Sequence, residues 1–184
     1  MCQICVDIVK GKMTFKEALS ALGELVVANK DDFSKKEHFM EVAEKIIDIY
    51  NKFGSKDYIG EKMTQTEHAL QCAYYAKNNN YDKDIIISAL LHDIGHLLFF
   101  DKNNVDLMDM YGVAKHENIG AEYLKKIGFN DRICNLIKNH VNAKRYLCSV
   151  DNTYYNKLSD ASKTTMKYQG GFMSEKEKIG RAHV

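Results

Sequence analysis

The sequence predicts an all-α protein, a helical bundle with a short N-terminal helical appendage. Three observations lead there. Proline is absent from the 184 residues, where average usage would supply about 5%, and each missing proline removes a helix breaker. Apolar residues recur at three- and four-residue spacing along most of the chain, the period of one helix face. Three segments open with Thr or Ser followed three residues later by Glu, the capping-box signature: Thr14 with Glu17, Ser34 with Glu37, and Thr64 with Glu67.

The elements follow in order. After Thr14 come Phe15, Ala18, Leu19, Leu22 and Leu25, and after Ser34 come Phe39, Val42, Ile46, Ile47 and Tyr50. These two helices make the appendage, residues 1–54, ending near Phe53-Gly54. The main body, residues 55–178, is expected to carry helices at about 64–78, 83–100, 115–127, 130–141 and 159–169, from the same spacing. Gly128 and Gly170 stand where helices end, and Asn78-Asn79-Asn80 and 101–106 read as loops. The last six residues, Ile179 to Val184, look like a translated sequencing adapter, a probable non-native tail, so the chain is expected to be a fragment whose natural form continues past Lys178.

Composition excludes several function classes. The 26 basic and 25 acidic side chains leave a formal charge of +1, so no global field favours nucleic acid or an anionic membrane. The longest apolar run, Ile85 to Phe100, is interrupted by His92, Asp93 and His96 and falls short of the roughly 20 residues of a membrane span. The N-terminus lacks the pattern of a secretory signal. Five cysteines at irregular positions fit free thiols in a reducing compartment. A cytoplasmic protein is expected. Cys2 and Cys5 form a lone CxxC without the second pair that metal binding would want.

The chemistry concentrates in His68, His92-Asp93, His116 and His140, four of the seven histidines and one aspartate. His68, His92-Asp93 and His140 sit inside apolar helical context. Burying an ionisable Asp beside His there is costly unless the charge is paired or metal-bound. Any one of them alone would read as a satisfied core residue. Together they call for a cation.

His…His-Asp…His…His in this order on successive helices resembles the HD superfamily, all-helical domains that hold one or two metals. Most of its members are hydrolases, in which the metal orients a water on a phosphate ester. The string YIGEKMTQTEHALQ, Tyr58 to Gln71, narrows the resemblance to the mixed-valent di-iron HD oxygenases, the group that includes 2-amino-1-hydroxyethylphosphonate dioxygenase. Ala89 to His96, Ile127-Gly128-Phe129, Ala143 to Leu147, Leu158 to Ser162 and Gln169-Gly170-Gly171 extend it over about residues 57–174.

The resemblance implies two iron ions, Fe(II)/Fe(III), with dioxygen as co-substrate. His68, His92, Asp93, His116 and His140 would be the ligands, with Asp93 bridging. Tyr58 would ligate one iron through its phenolate, and Glu61 would bind the substrate amine and help swing Tyr58 away. His96 would sit behind the metals, and Lys144, Ser162, Thr165 and Gln169 would surround the phosphonate. The implied reaction cleaves the carbon–phosphorus bond of a 1-hydroxy-2-aminoalkylphosphonate to an amino acid and phosphate, the substrate supplying all the electrons. Read from the residues alone, Tyr58 also fits a core tyrosine, Lys144-Arg145 a solvated pair, and the serines near 159–162 a helix cap.

Two departures stand out. The family's last iron-ligating aspartate and an arginine near the phosphonate have no match in Phe172 to Val184, so the sixth ligand is expected beyond Lys178. Asp160 is not expected to replace it. The N-terminal helices have no counterpart and no functional reading. Two other functions remain open: an HD phosphohydrolase acting on a phosphate ester or nucleotide, and a catalytically silent HD module.

Overall fold

A computed structural model describes residues 33–58, 60–101 and 112–179, with the side chains of the first helix from residue 41 onward. The segment Thr14 to Leu25, Cys2, Cys5, Ile59, residues 102–111 and the tail from Gly180 lie outside the described residues. Helices run over Phe33–Phe53 (α1), Gln65–Asn78 (α2), Lys83–Leu91 (α3), Ile94–Leu97 (α4), His116–Lys126 (α5), Asp131–Val150 (α6), Asn152–Lys157 (α7), Asp160–Tyr168 (α8) and Glu175–Ile179 (α9). No strand occurs among the described residues, which form an all-α bundle. No described helix is long and apolar enough to cross a membrane.

Helix α1 turns Val42, Ile46, Ile47 and Tyr50 inward, the stripe its spacing predicts. Ile46 and Tyr50 join the same core as α2, α3 and α6, and the Tyr50 hydroxyl donates to the Leu90 carbonyl at 3.0 Å. The boundary expected at Gly54 is thus a turn between helices that share one core. Gly54 is required there, since a Cβ would stand 2.1 Å from Thr66 Oγ1.

The Thr64 capping box forms as its sequence predicts: Thr64 Oγ1 accepts from the Glu67 amide, and Glu67 accepts from the Thr64 amide at 2.7 Å. Such a cap contributes about 1 kcal/mol and sets where His68 begins its turn. Asp82 and Asn130 cap α3 and α6 more simply, each side chain accepting from the amide three residues on, that of Ile85 and that of Ile133.

Two expectations need correction. The helix expected over 83–100 is broken at His92-Asp93, α3 ending at Leu91 and α4 running only over Ile94–Leu97 before a 3₁₀ turn, Leu98–Asp101. Adjacent side chains on an unbroken helix diverge by about 100°, and the break lets His92 and Asp93 face the same cavity. The helix expected over 130–141 continues to Val150, because no Gly or Pro interrupts 131–150.

Leu90, Ile94, Leu97, Leu124 and Ile137 form the centre of the core, each at most 1% exposed. Burying a side chain of this size is worth about 1.5–3 kcal/mol. α4 crosses α5 very closely: a Cβ on Gly95 would lie 2.0 Å from the His116 carbonyl oxygen, and one on Gly120 would lie 3.1 Å from Ile94 Cγ2. That crossing brings the first residue of α5, His116, against Asp93.

Candidate metal centre and its pocket

Three helices and one helix break deliver the site. His68 comes from the second turn of α2, His92 and Asp93 from the α3–α4 break, His116 from the start of α5 and His140 from the middle of α6. Backbone carbonyls three residues earlier fix three of the rings. His92 Nδ1 meets Ala89 O at 2.9 Å, His116 Nδ1 meets Val113 O at 3.3 Å, and His140 Nδ1 meets Ile137 O at 2.7 Å. A carbonyl only accepts, so Nδ1 carries the proton and Nε2 presents its lone pair.

Those Nε2 atoms converge on Asp93 in two pairs. Asp93 Oδ2 lies 3.4 Å from His68 Nε2 and 3.1 Å from His92 Nε2, while Oδ1 lies 3.2 Å from His116 Nε2 and 3.5 Å from His140 Nε2. Within the pairs, His68 and His92 are 3.2 Å apart and His116 and His140 are 3.1 Å apart, Nε2 to Nε2. Each side is therefore two imidazoles and one carboxylate oxygen, the donor set typical of transition metals with open positions.

The electrostatics agree with a cation. Burial alone would raise the Asp93 carboxyl, but the positive charge around it, that of His92 when protonated foremost, holds it well below the usual range. Burial, then the His92 charge, pushes His140 down to about 3, which leaves the imidazole in its neutral, ligating form. A dense group of lone pairs beside a buried carboxylate fits a bound metal by the chemistry of its donors.

The remaining residues named from the sequence fall around a cavity of about 330 Å³ beside the histidines. Tyr58 stacks on His68, ring centroids 3.9 Å apart and 14° from parallel. Burial, the Asp93 charge and a hydrogen bond to Asp93 hold its phenol well above the usual value. Glu61 also lines the cavity, its amide donating to the Tyr58 carbonyl at 2.9 Å. Gly60 between them has φ +78°, and a Cβ there would stand 2.5 Å from Ala161 Cβ, so glycine seats this loop against α8. His96 accepts from the Val113 amide at 3.1 Å through Nδ1 and stacks on His116 at 3.9 Å.

Lys144, Ser162, Thr165 and Gln169 form the facing wall. Lys144 Nζ donates to Thr165 Oγ1 at 3.2 Å, and Thr165 Oγ1 donates to the Ser162 carbonyl at 3.1 Å. Burial lowers the Lys144 ammonium from its ordinary value, partly offset by the Asp93 charge. Gln169 Oε1 is buried with no hydrogen-bond partner among the described residues. Arg145 turns the opposite way and donates to the carbonyls of Gly171 and Gly170 at 2.9 and 3.2 Å and to Glu177 at 3.0 Å. Asp160 is exposed at the start of α8, away from the cavity lining.

Cys72 and Tyr154 line the same cavity; Cys72-Ala73-Tyr74 belongs to the stretch that carries the resemblance, but neither residue was given a role at the site from the sequence. Cys72 stands four residues after His68, which was a readable signal. Tyr154 sits on α7, a six-residue helix that no periodicity announced.

A helical bundle that gathers four histidines around a shared aspartate defines a class of metal-binding domain, and the chain belongs to it: the HD domain family matches residues 36–167. Among its relatives is the [1-hydroxy-2-(trimethylamino)ethyl]phosphonate dioxygenase (glycine-betaine-forming) of Leisingera caerulea, 41% identical over 74% of this chain and 68% of that protein. Hydroxymethylphosphonate dioxygenase of Gimesia maris is 42% identical over 66% of this chain and 60% of its own length. An uncharacterized protein of Acanthamoeba polyphaga mimivirus is 42% identical over 77% of this chain and 64% of its own. The chain thus matches 60–68% of the length of these curated relatives.

Proposed function

We propose that this chain is the HD domain of an iron- and dioxygen-dependent phosphonate oxygenase that cleaves the carbon–phosphorus bond of a 1-hydroxy-2-aminoalkylphosphonate. The observation that carries the reading is the Asp93 carboxylate, each of whose oxygens faces its own pair of imidazoles. His68, His92 and Asp93 would hold one iron, and Asp93, His116 and His140 the other. The iron pair, when bound, supplies dioxygen activation with electrons drawn from the substrate.

The chain's own side chains do the rest. Lys144 and the Thr165 hydroxyl offer a cation and a donor to the phosphonate, and the partnerless Gln169 Oε1 accepts from the substrate hydroxyl. Glu61 faces the amine. Tyr58, bonded to Asp93 and stacked on His68, covers that side of the centre until substrate displaces it. His96 braces the His116 ring. Leu147 and Leu158 keep water from the apolar part of the cavity. The hydroxyl on the phosphorus-bearing carbon is common to the substrates in both dioxygenase relatives' names, which supports that part of the substrate.

The test is phosphate release by the iron-loaded protein from 1-hydroxy-2-aminoethylphosphonate, its trimethylamino analogue and hydroxymethylphosphonate, with and without dioxygen. Turnover that consumes dioxygen stoichiometrically is expected, faster with the amine-bearing substrates than with hydroxymethylphosphonate. Equal turnover in an oxygen-free chamber would overturn the reading and promote a phosphohydrolase.

A further inference from the structure

Cys72 is the one thiol among the described residues that lines the cavity. Cys134 is buried and donates to the Phe129 carbonyl at 3.8 Å, and Cys148 is buried away from the lining. Cys72 follows His68 by one turn of α2, so both project from one helix face. Its Sγ stands 3.6 Å from His68 Nε2, and the donor atoms of His68, Cys72 and His92 all lie within 4.8 Å of one another.

These separations match a common coordination sphere. A metal with metal–sulfur bonds of about 2.3 Å and metal–nitrogen bonds of about 2.0–2.1 Å holds tetrahedrally arranged donors about 3.4–3.6 Å apart. The two measured edges, 3.6 Å from sulfur to nitrogen and 3.2 Å from nitrogen to nitrogen, fall close to this. Among the described residues Sγ has no hydrogen-bond partner besides His68 Nε2.

We infer that Cys72 is a metal ligand, its sulfur joining His68, His92 and Asp93 Oδ2 on one side of the centre. The inference rests on the metal centre proposed above. Ligation exchanges the S–H bond for a sulfur–metal bond and releases the proton to solvent, with no change of oxidation state. It also makes the two sides unequal: one carries an extra negative charge and a soft donor, the other has two imidazoles and Asp93 Oδ1 alone. Like-charge repulsion then directs an anionic substrate to the His116–His140 side, where Lys144 sits one turn after His140.

Cobalt(II) loaded into the protein tests this without turnover. A near-ultraviolet thiolate-to-cobalt charge-transfer band is expected, together with suppressed alkylation of Cys72 by iodoacetamide, read by peptide mass mapping. Cys72→Ala should abolish the band and lower cobalt affinity on that side by at least the 10- to 100-fold that loss of an outer partner costs, and Cys72→Ser, a smaller change, should also lose the band. If cobalt binds at two per chain with no band and unchanged Cys72 alkylation, or if the band survives in Cys72→Ala, the ligand assignment is overturned and the proposed centre stands. If no cobalt binds, both are overturned.

Discussion

The histidine wall of the cavity is fastened by the core itself, whereas the polar wall facing it hangs on segments that bury little. Leu91 and Ile94 flank the His92-Asp93 pair, and Ile137 and Val141 flank His140, all of them buried. On the other wall, α8 buries only Met166 and α7 buries no residue at all. Moving a histidine therefore means repacking close-fitted side chains, while moving Ser162, Thr165 or Gln169 displaces few buried contacts. The domain fixes its histidine cluster firmly and leaves the facing polar wall adjustable.

The strongest way to break this contrast is at Asp93, which both metal positions share. Asp93→Ala should abolish tight metal binding, with iron content after purification falling from the wild-type level to near zero. His92→Ala should empty chiefly the His68 side. A variant of Asp93 that keeps both irons would show that the shared carboxylate is not the organising ligand.

Substitution on the polar wall should act on substrate and spare the metals. Lys144→Ala removes one charged hydrogen bond, worth about 1.5–3 kcal/mol, and so should raise KM roughly tenfold to a hundredfold with iron content unchanged. Loss of iron in this variant would show that the two walls are mechanically coupled after all.

The smallest effect is expected behind the polar wall, at the Arg145–Glu177 clamp. Hydrogen bonds from the Ser174 amide and hydroxyl, then from Arg145, pull the exposed Glu177 carboxyl from 4.5 to about 2. A depressed carboxyl contributes stability above its unfolded value and loses it as pH falls toward the folded one. The stability difference between wild type and Glu177→Gln should therefore shrink between pH 4.5 and about 2, measured by denaturant titration at each pH. A constant difference across that window would show that the clamp contributes nothing to stability.

How much of this was legible in the sequence depended on how local the cause was. The Thr64 cap and the stripe of α1 could be read because their determinants lie within a few residues. The break at His92-Asp93 could not, because Ile85 to Phe100 keeps its apolar character across it and the reason for the break is the distant partners His116 and His140. His68, His92-Asp93 and His140 stood out as ionisable groups in apolar surroundings, and His116, between Lys115 and Glu117, only as a further member of the set. Lys144 and Arg145 are adjacent and chemically alike, yet one enters the cavity and the other clamps Gly170 and Gly171, a divergence set by helix phase once α6 runs on past His140. Cys72 was passed over because a lone thiol in a helix ordinarily reads as a small apolar residue.

The crossing of α4 over α5 bears on how such a domain can diversify by descent. At Gly95 no side chain fits, since the first carbon would already meet the His116 carbonyl. Selection has no graded series of sizes to explore there, so His116 is held by a position that is kept or lost in a single step. Apart from Ala161, Met166 and Cys148, which are closely packed, the residues of α8 and the last turns of α6 face no such barrier and can be exchanged one at a time. A lineage built on this plan can therefore vary the polar wall residue by residue while the crossing that sets His116 against Asp93 admits no intermediate.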